Sequence, residues 1–247
     1  ARQRRAGVPD AYWAAANGGC GATTPDQSRR QRFIVLSAPR TGSGMLVSYL
    51  DSHAGVRCFA EVFNANEAVR EKAVICSKTE QVHRVFIETP DVFLEQHLFA
   101  GPYPPGVSHV GFKLHYDHLM GERGRLVGRY LAADEAIRVI HLQRRNCLAS
   151  LVSGKRALQT GAWTSLHKPS GTGDDPIELP YEECLRYFGA VEFHRRANEL
   201  RFSRQQKIGV WYEDLVAEAQ SELRRILDFL GLPYQTLRTI FSKQNAR

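Results

Sequence analysis

The sequence predicts an α/β fold with a central parallel sheet flanked by helices, and three observations carry that expectation. Short apolar runs recur at 32–37, 107–115, 136–142 and 207–211, each bounded by turn-forming residues. Stretches of helical character separate them, and strands that alternate with helices give a parallel sheet covered on both faces. The first run passes through Ser37-Ala38-Pro39-Arg40-Thr41-Gly42-Ser43-Gly44 directly into the apolar stretch Met45–Leu50, a strand, a glycine-bearing turn and a helix in succession.

Residues 1–31 carry Gly18-Gly19, Gly21 and Thr23-Thr24-Pro25 with little periodicity, and read as a loosely ordered leader ahead of one domain, 32–247. After the 32–37 strand comes a helix over about 43–53, then a short strand at Val56-Arg57-Cys58-Phe59. The stretch 64–100 is expected to be helical, broken at Pro90, with Asp91 helping to start the next helix. Gly101-Pro102-Tyr103-Pro104-Pro105-Gly106 is a break, and Val107–His115 a buried strand. A helix over Gly124–Ala132 leads to a strand at Ala136–Leu142, and Asn146–Gln159 is helical again. Thr160–Pro180, rich in Gly, Pro and Asp, reads as a long loop of the kind that is usually functional or mobile. Tyr181–Arg204 is one long helix, Lys207–Trp211 the last strand, and Leu215–Leu230 the last helix, stopped by Gly231 and Pro233.

The net charge of +7, from 33 Lys and Arg against 26 Asp and Glu, suits either a basic surface or a polyanionic ligand. The basic residues are spread along the chain, with clusters only at Arg2-Arg4-Arg5 and Arg29-Arg30-Arg32, so nucleic acid is not the expected partner. No stretch approaches the roughly 18 consecutive apolar residues of a membrane span, and no signal-peptide core is present. The five cysteines, Cys20, Cys58, Cys76, Cys147 and Cys184, are scattered without a CxxC pair, which argues against a zinc or redox site. No metal is expected, and the balance of these features leans toward a cytoplasmic protein. Oligomeric state, and any targeting segment before residue 1, are left open by the sequence.

The chemistry concentrates in two segments. A turn between strand and helix points backbone N–H groups and a helix N-terminus at one spot, which favours an anion such as phosphate or sulfate. Arg40 adds a permanent cation, and Thr41 and Ser43 add hydroxyl donors. The loop is not a Walker A motif, which needs a lysine and a hydroxyl after the second glycine; here the basic residue precedes Gly42 and Gly44. The second segment, Gln143-Arg144-Arg145-Asn146-Cys147-Leu148-Ala149-Ser150-Leu151-Val152-Ser153, has Arg145 at a strand end and Ser153 eight residues on within the next helix. An arginine at the mouth and a hydroxyl two turns inside can hold one phosphate from two sides.

Together these segments resemble the two nucleotide-binding elements of the sulfotransferases that use 3′-phosphoadenosine 5′-phosphosulfate (PAPS), a P-loop-like fold. Ala38–Ser43 is similar to the family's 5′-phosphosulfate loop, and Arg145 through Ser153 to its 3′-phosphate element. The likeness is nearest to bacterial-type carbohydrate sulfotransferases of the trehalose and nodulation-factor type. Ser153, Arg156-Ala157, Thr160-Gly161 and Trp163 match a helix-to-loop signature there, Trp211-Tyr212-Glu213-Asp214-Leu215 resembles a widespread Tyr-Glu-Asp-Leu turn, and Lys243-Gln244-Asn245 a segment that closes over the nucleotide. Leu50-Asp51-Ser52-His53 through Cys58 also resembles the tyrosylprotein sulfotransferases.

The resemblance implies a PAPS-dependent enzyme with PAP as product, a hydroxyl-bearing glycan or small-molecule acceptor, and no metal. It assigns nucleotide binding to Pro39, Arg40, Thr41, Gly42, Ser43, Gly44, Met45, Arg145, Ser153, Tyr212, Lys243 and Gln244. Arg40 stabilises the leaving phosphate; some relatives carry lysine there, but an arginine stays charged and cannot donate its proton. Glu61 is the first choice for the base, although relatives often have a glycine where this chain has Ala60. His115 is the competitor, because Lys113-Leu114-His115 resembles the Lys-Thr-His of cytosolic sulfotransferases. His53 and His118 are expected to be structural, Trp163 to stack on adenine or wall the acceptor pocket, and Asp174-Asp175 to reach the acceptor. A kinase with a degenerate phosphate loop and a non-catalytic anion or nucleic-acid binding module are the alternatives.

Overall fold

Strand β1 (Gln31–Ser37) lies at the centre of the sheet because its apolar residues are buried in both directions, Phe33 and Val35 one way and Ile34 and Leu36 the other. The structure, a computed structural model, describes residues 30–64, 86, 88–164 and 175–241. Among them the order of elements is β1, α1 (Ser43–Asp51), β2 (Val56–Glu61), α2 (Pro90–Phe93), β3 (His109–His115), α3 (Gly121–Ala133), β4 (Arg138–Gln143), α4 (Cys147–Thr160), α5 (Tyr181–Arg201), β5 (Lys207–Trp211), α6 (Tyr212–Ala217) and α7 (Ala219–Leu230). A π-helical turn (Leu94–Phe99) continues α2, and a 3₁₀ turn (Tyr116–Leu119) follows β3.

The five strands run in the order β2-β3-β1-β4-β5 and every pairing is parallel. The pleat divides their apolar side chains between two cores. On one face Phe33, Val35, Cys58, Ile140, Leu142 and Val210 meet Leu46 and Leu50 of α1 and Leu223, Ile226, Leu227 and Leu230 of α7. On the other Ile34, Leu36, Phe59, Phe112, Leu114 and Val139 meet Phe93, Leu98 and Phe99, with Val127 and Leu131 of α3. From β1 the chain travels toward the β2 edge, and from β3 toward the β4 side. Adjacent strands that send the chain opposite ways leave a crevice beyond their C-terminal ends, where such sheets bind ligands.

The expected α/β architecture is the one observed, with local differences. The second strand extends to Glu61, and the helix expected over 124–132 starts at Gly121. The long helix expected over 181–204 ends at Arg201. The last helix is divided: Glu218 takes φ −134° and ψ 55°, which ends α6 and starts α7. That single extended residue lets α6 aim Glu213 and Asp214 at the β4–α4 turn while α7 lies along the sheet. Most of the expected 64–89 helix and the 165–174 part of the long loop fall outside the described residues. Arg30 and Arg32 are tied into the fold: Arg30 Nη1 donates to the Gly101 carbonyl at 3.0 Å, and Arg32 pairs with Glu95 at 2.7 Å. Arg2–Arg5 and Arg29 lie outside the described residues.

Gly111 is where the sheet depends on a missing side chain, since an added Cβ would stand 2.5 Å from both the ring and the carbonyl oxygen of Phe33. Gly111→Ala is expected to cost about 1–3 kcal/mol through overpacking. Gly209→Ala in β5, where an added Cβ meets nothing within 4 Å, should be near neutral. Urea denaturation midpoints of the two variants check the contrast.

Candidate active site

The loop after β1 turns through two left-handed residues, Arg40 at φ 62° and Gly42 at φ 79°. Gly42 suits this conformation because it has no Cβ, whereas Arg40 adopts it at a steric cost. The Arg40 turn is held from outside: Arg144 Nη1 donates to the Arg40 carbonyl at 2.9 Å and Ser150 Oγ at 3.4 Å. Within the loop, Thr41 Oγ1 donates to the Ala38 carbonyl at 2.9 Å. Gly42 also admits the Tyr212 ring, which a Cβ there would meet at 2.5 Å, and the Arg144 guanidinium lies 4.5 Å from the centre of that ring. Ser43 begins α1, so the first turn of the helix opens out of the loop.

The Arg40 side chain reaches α4. Its Nε and Nη2 donate to Ser153 Oγ at 3.1 and 2.9 Å, and its Nη1 to the Trp163 carbonyl at 2.5 Å. Burial and the neighbouring Arg144 lower its pKa from the ordinary arginine value. Arg145 points elsewhere: its guanidinium forms a two-pronged pair with Asp214 at 2.6 and 2.7 Å and lies over Trp211. Glu213 accepts from the backbone N–H groups of Arg145 and Asn146 at 3.1 Å each. Asn146 caps α4 through Ala149 N–H at 2.8 Å. The structure therefore joins Ser153 directly to Arg40, and Arg145 to the Glu-Asp turn of α6.

The second cluster sits on the same face of the sheet edge. β2 pairs in register with β3 as far as Phe59 opposite Phe112, then a bulge at Ala60 sets Glu61 opposite Lys113. In unbroken register Glu61 would turn to the other face, because side chains alternate along a strand. Lys113 Nζ donates to Glu61 Oε1 at 2.7 Å, and Asn64 donates to Oε2. His115 Nε2 lies 3.4 Å from Glu61 Oε1 and His118 Nε2 lies 3.9 Å from Oε2. His115 pairs in register with Ser37, its Nδ1 3.1 Å from Ser37 Oγ, so the cluster abuts the start of the loop.

Burial opposes the Glu61 carboxylate, but the hydrogen bond from His115 and the charge of Lys113 outweigh it and hold the carboxyl far below the usual carboxylate range. His118 is pushed down to about 4 by burial and by His115. Glu61 keeps 22% of its side chain exposed, against 9% for Lys113, 6% for His115 and 3% for His118, so it is the member best able to meet a molecule from solvent.

Sequence reasoning named Glu61 and His115 as rivals, and the structure makes them neighbours. Lys113 was not among the expected partners of Glu61, because the pairing of β2 with β3 is a long-range fact; His118, expected to be structural, accepts the His115 backbone N–H at its Nδ1, 3.3 Å away. Beside the loop, between β4 and α5, lies a cavity of about 220 Å³ lined in part by Thr41, Tyr116, Arg144 and Tyr187. The Nε of Arg144 is buried and has no hydrogen-bond partner among the described residues. Lys243, Gln244 and Asp174 lie outside the described residues. Among the described residues no group of three or more His, Cys, Asp or Glu side chains is disposed to hold a metal ion, and no helix is long and apolar enough to cross a membrane.

Comparison with known proteins gives a family from sequence and a like fold from structure. Residues 126–236 match the profile described as the sulfotransferase family. Nodulation protein H of Rhizobium meliloti strain 1021 is 30% identical over 226 residues, covering 88% of this chain and 85% of that protein. Nodulation protein H of Rhizobium tropici is 29% identical over 205 residues, covering 81% and 76%. A crystal structure of a sulfotransferase from Alicyclobacillus acidocaldarius superposes with a TM-score of 0.51 at 13% identity, covering 88% of this chain and 87% of that one. With the family profile matched over residues 126–236 and the relatives aligned across most of its length, the chain belongs to the sulfotransferase family.

Proposed function

We propose that this chain transfers a sulfuryl group from PAPS to a hydroxyl of a carbohydrate or other small acceptor, with PAP as the product. The observation that carries the reading is that, on one face of the sheet, a glycine-bearing loop leading into a helix start adjoins a partly exposed carboxylate. The nodulation protein H relatives support the carbohydrate branch, to which the Ser153–Trp163 signature also points.

The residues fit such a donor. Gly42 makes room for the Tyr212 ring behind the loop, and the N–H groups of Thr41 to Gly44 lead into a helix start that favours a phosphosulfate. PAPS, when bound, supplies the sulfuryl group and a phosphate that can leave. Arg40 offsets the charge growing on that phosphate without giving up a proton. Arg145 holds the 3′-phosphate by exchanging it for Asp214, a small cost for an exposed pair. Ser153 adds a hydroxyl to that grip, and Tyr212 backs the loop at Gly42.

Glu61 accepts the acceptor's proton. A carboxylate held so strongly in its charged form is a weak base toward a free alcohol. It suffices once the oxygen–sulfur bond has largely formed, because the bonded hydroxyl is then strongly acidic. Lys113 and His115 keep the carboxylate ionised and oriented, and His115 with both ring nitrogens engaged is a positioning residue in this scheme.

Calorimetric titration with PAP and with AMP tests the donor site. PAP is expected to bind and AMP to bind far more weakly; equal binding would overturn the reading. Arg145→Ala should remove the preference. Glu61→Gln should leave PAP affinity intact and lower turnover by about 10²- to 10⁴-fold. An active Glu61→Gln enzyme would move the base to His115.

The pH profile follows from the depressed carboxyl. Glu61 stays ionised from neutral to mildly acidic pH, so its protonation should produce no loss of kcat/KM on that side. Lys113→Met removes a cation that lowers the Glu61 pKa, so the pKa rises and an acid limb should move up into the measurable range.

A further inference from the structure

Helix α5 is the longest among the described residues, yet of its 21 residues only Asn198 is buried. Its outward face is apolar where a solvated helix would be polar: Tyr181 is 72% exposed, Leu185 47%, Phe193 67% and Leu200 76%. At 100° per residue these four, with Gly189 between them, fall within a sector of about 120°. The same sector carries Glu182, Glu192 and Arg196, with Arg186 just beyond its edge, and no described side chain forms an ion pair with Glu182 or Arg186. Monomeric soluble proteins rarely leave such a stripe open.

We propose that α5 packs against α5 of a second copy of this chain, antiparallel, about a two-fold axis at Gly189. The argument is the symmetry of the sequence about that residue. Inverting the helix there sets Leu185 against the partner's Phe193, and Tyr181 beside the partner's Leu200 one turn along. It also sets Glu182 against the partner's Arg196 and Arg186 against the partner's Glu192, each contact made twice. A parallel pairing would instead oppose Arg186 to the partner's Arg186 and Glu182 to the partner's Glu182. Gly189 allows close approach at the axis, since a Cβ there would meet nothing within 4 Å. A residue facing its own copy is the mark of an isologous interface.

Sedimentation velocity of the full chain across a concentration series tests this. Twice the mass of one chain is expected at high concentration, and Leu185→Asp with Phe193→Asp should hold the chain at the single mass with an unchanged circular dichroism spectrum. Gly189→Cys places a thiol on the axis, so mild oxidation should yield a cross-linked dimer that the unsubstituted chain does not give. A monomer at every concentration, or a Gly189→Cys chain that cross-links no more than the unsubstituted one, would overturn the proposal. A chain that pairs only after residues 1–29 are removed would assign the face to that segment and overturn it as well.

Discussion

Arg40 occupies a left-handed backbone conformation, φ 62°, that costs a residue with a side chain about 1–3 kcal/mol and persists only when its surroundings impose it. The imposing contact is the hydrogen bond from Arg144 at the end of β4 to the Arg40 carbonyl, seconded by Ser150 of α4. The rest of the site follows. With Arg40 turned this way, the loop continues through Gly42 into α1, and the guanidinium is carried to Ser153. Two segments more than a hundred residues apart in the chain are thereby joined at one side-chain contact. The Tyr212 ring over Gly42 and the Arg144 guanidinium over that ring bring α6 against the same loop.

The other half of the site rests on a single inserted residue. Ala60 bulges β2, and this sets Glu61 beside Lys113 on the face that carries Ser37 and His115. Electrostatics then decides the state of the group. Burial alone would favour a neutral acid, but an ammonium at 2.7 Å and an imidazole at 3.4 Å reverse that preference.

Much of this was legible in the sequence, for physical reasons. Strands buried on both faces leave near-unbroken apolar runs, so β1, β3 and β4 announce themselves, and the glycine-bearing turn marks the loop after β1. Glu61 and His115 were visible as candidates because each matches a position of the resembling enzymes near the C-terminal edge of the sheet. What local pattern does not contain is pairing between strands: the Glu61–Lys113 contact depends on the β2–β3 register, and with it the place of His118. The same holds for Arg145, whose partner Asp214 was readable only as part of a turn, and for Ser153, which meets Arg40 rather than Arg145. The break at Glu218 has no glycine or proline to signal it, since tertiary demands on Asp214 and Leu223 impose it.

The central claim is that the Arg40 loop and the Arg145–Ser153 segment hold opposite ends of one nucleotide. Amide hydrogen exchange with and without PAP reads both segments in one measurement. Slower exchange is expected at Thr41–Gly44 and at Arg145–Ser153 together, at the same PAP concentration. Protection confined to the Arg40 loop, or an equal effect from inorganic phosphate, would contradict the claim.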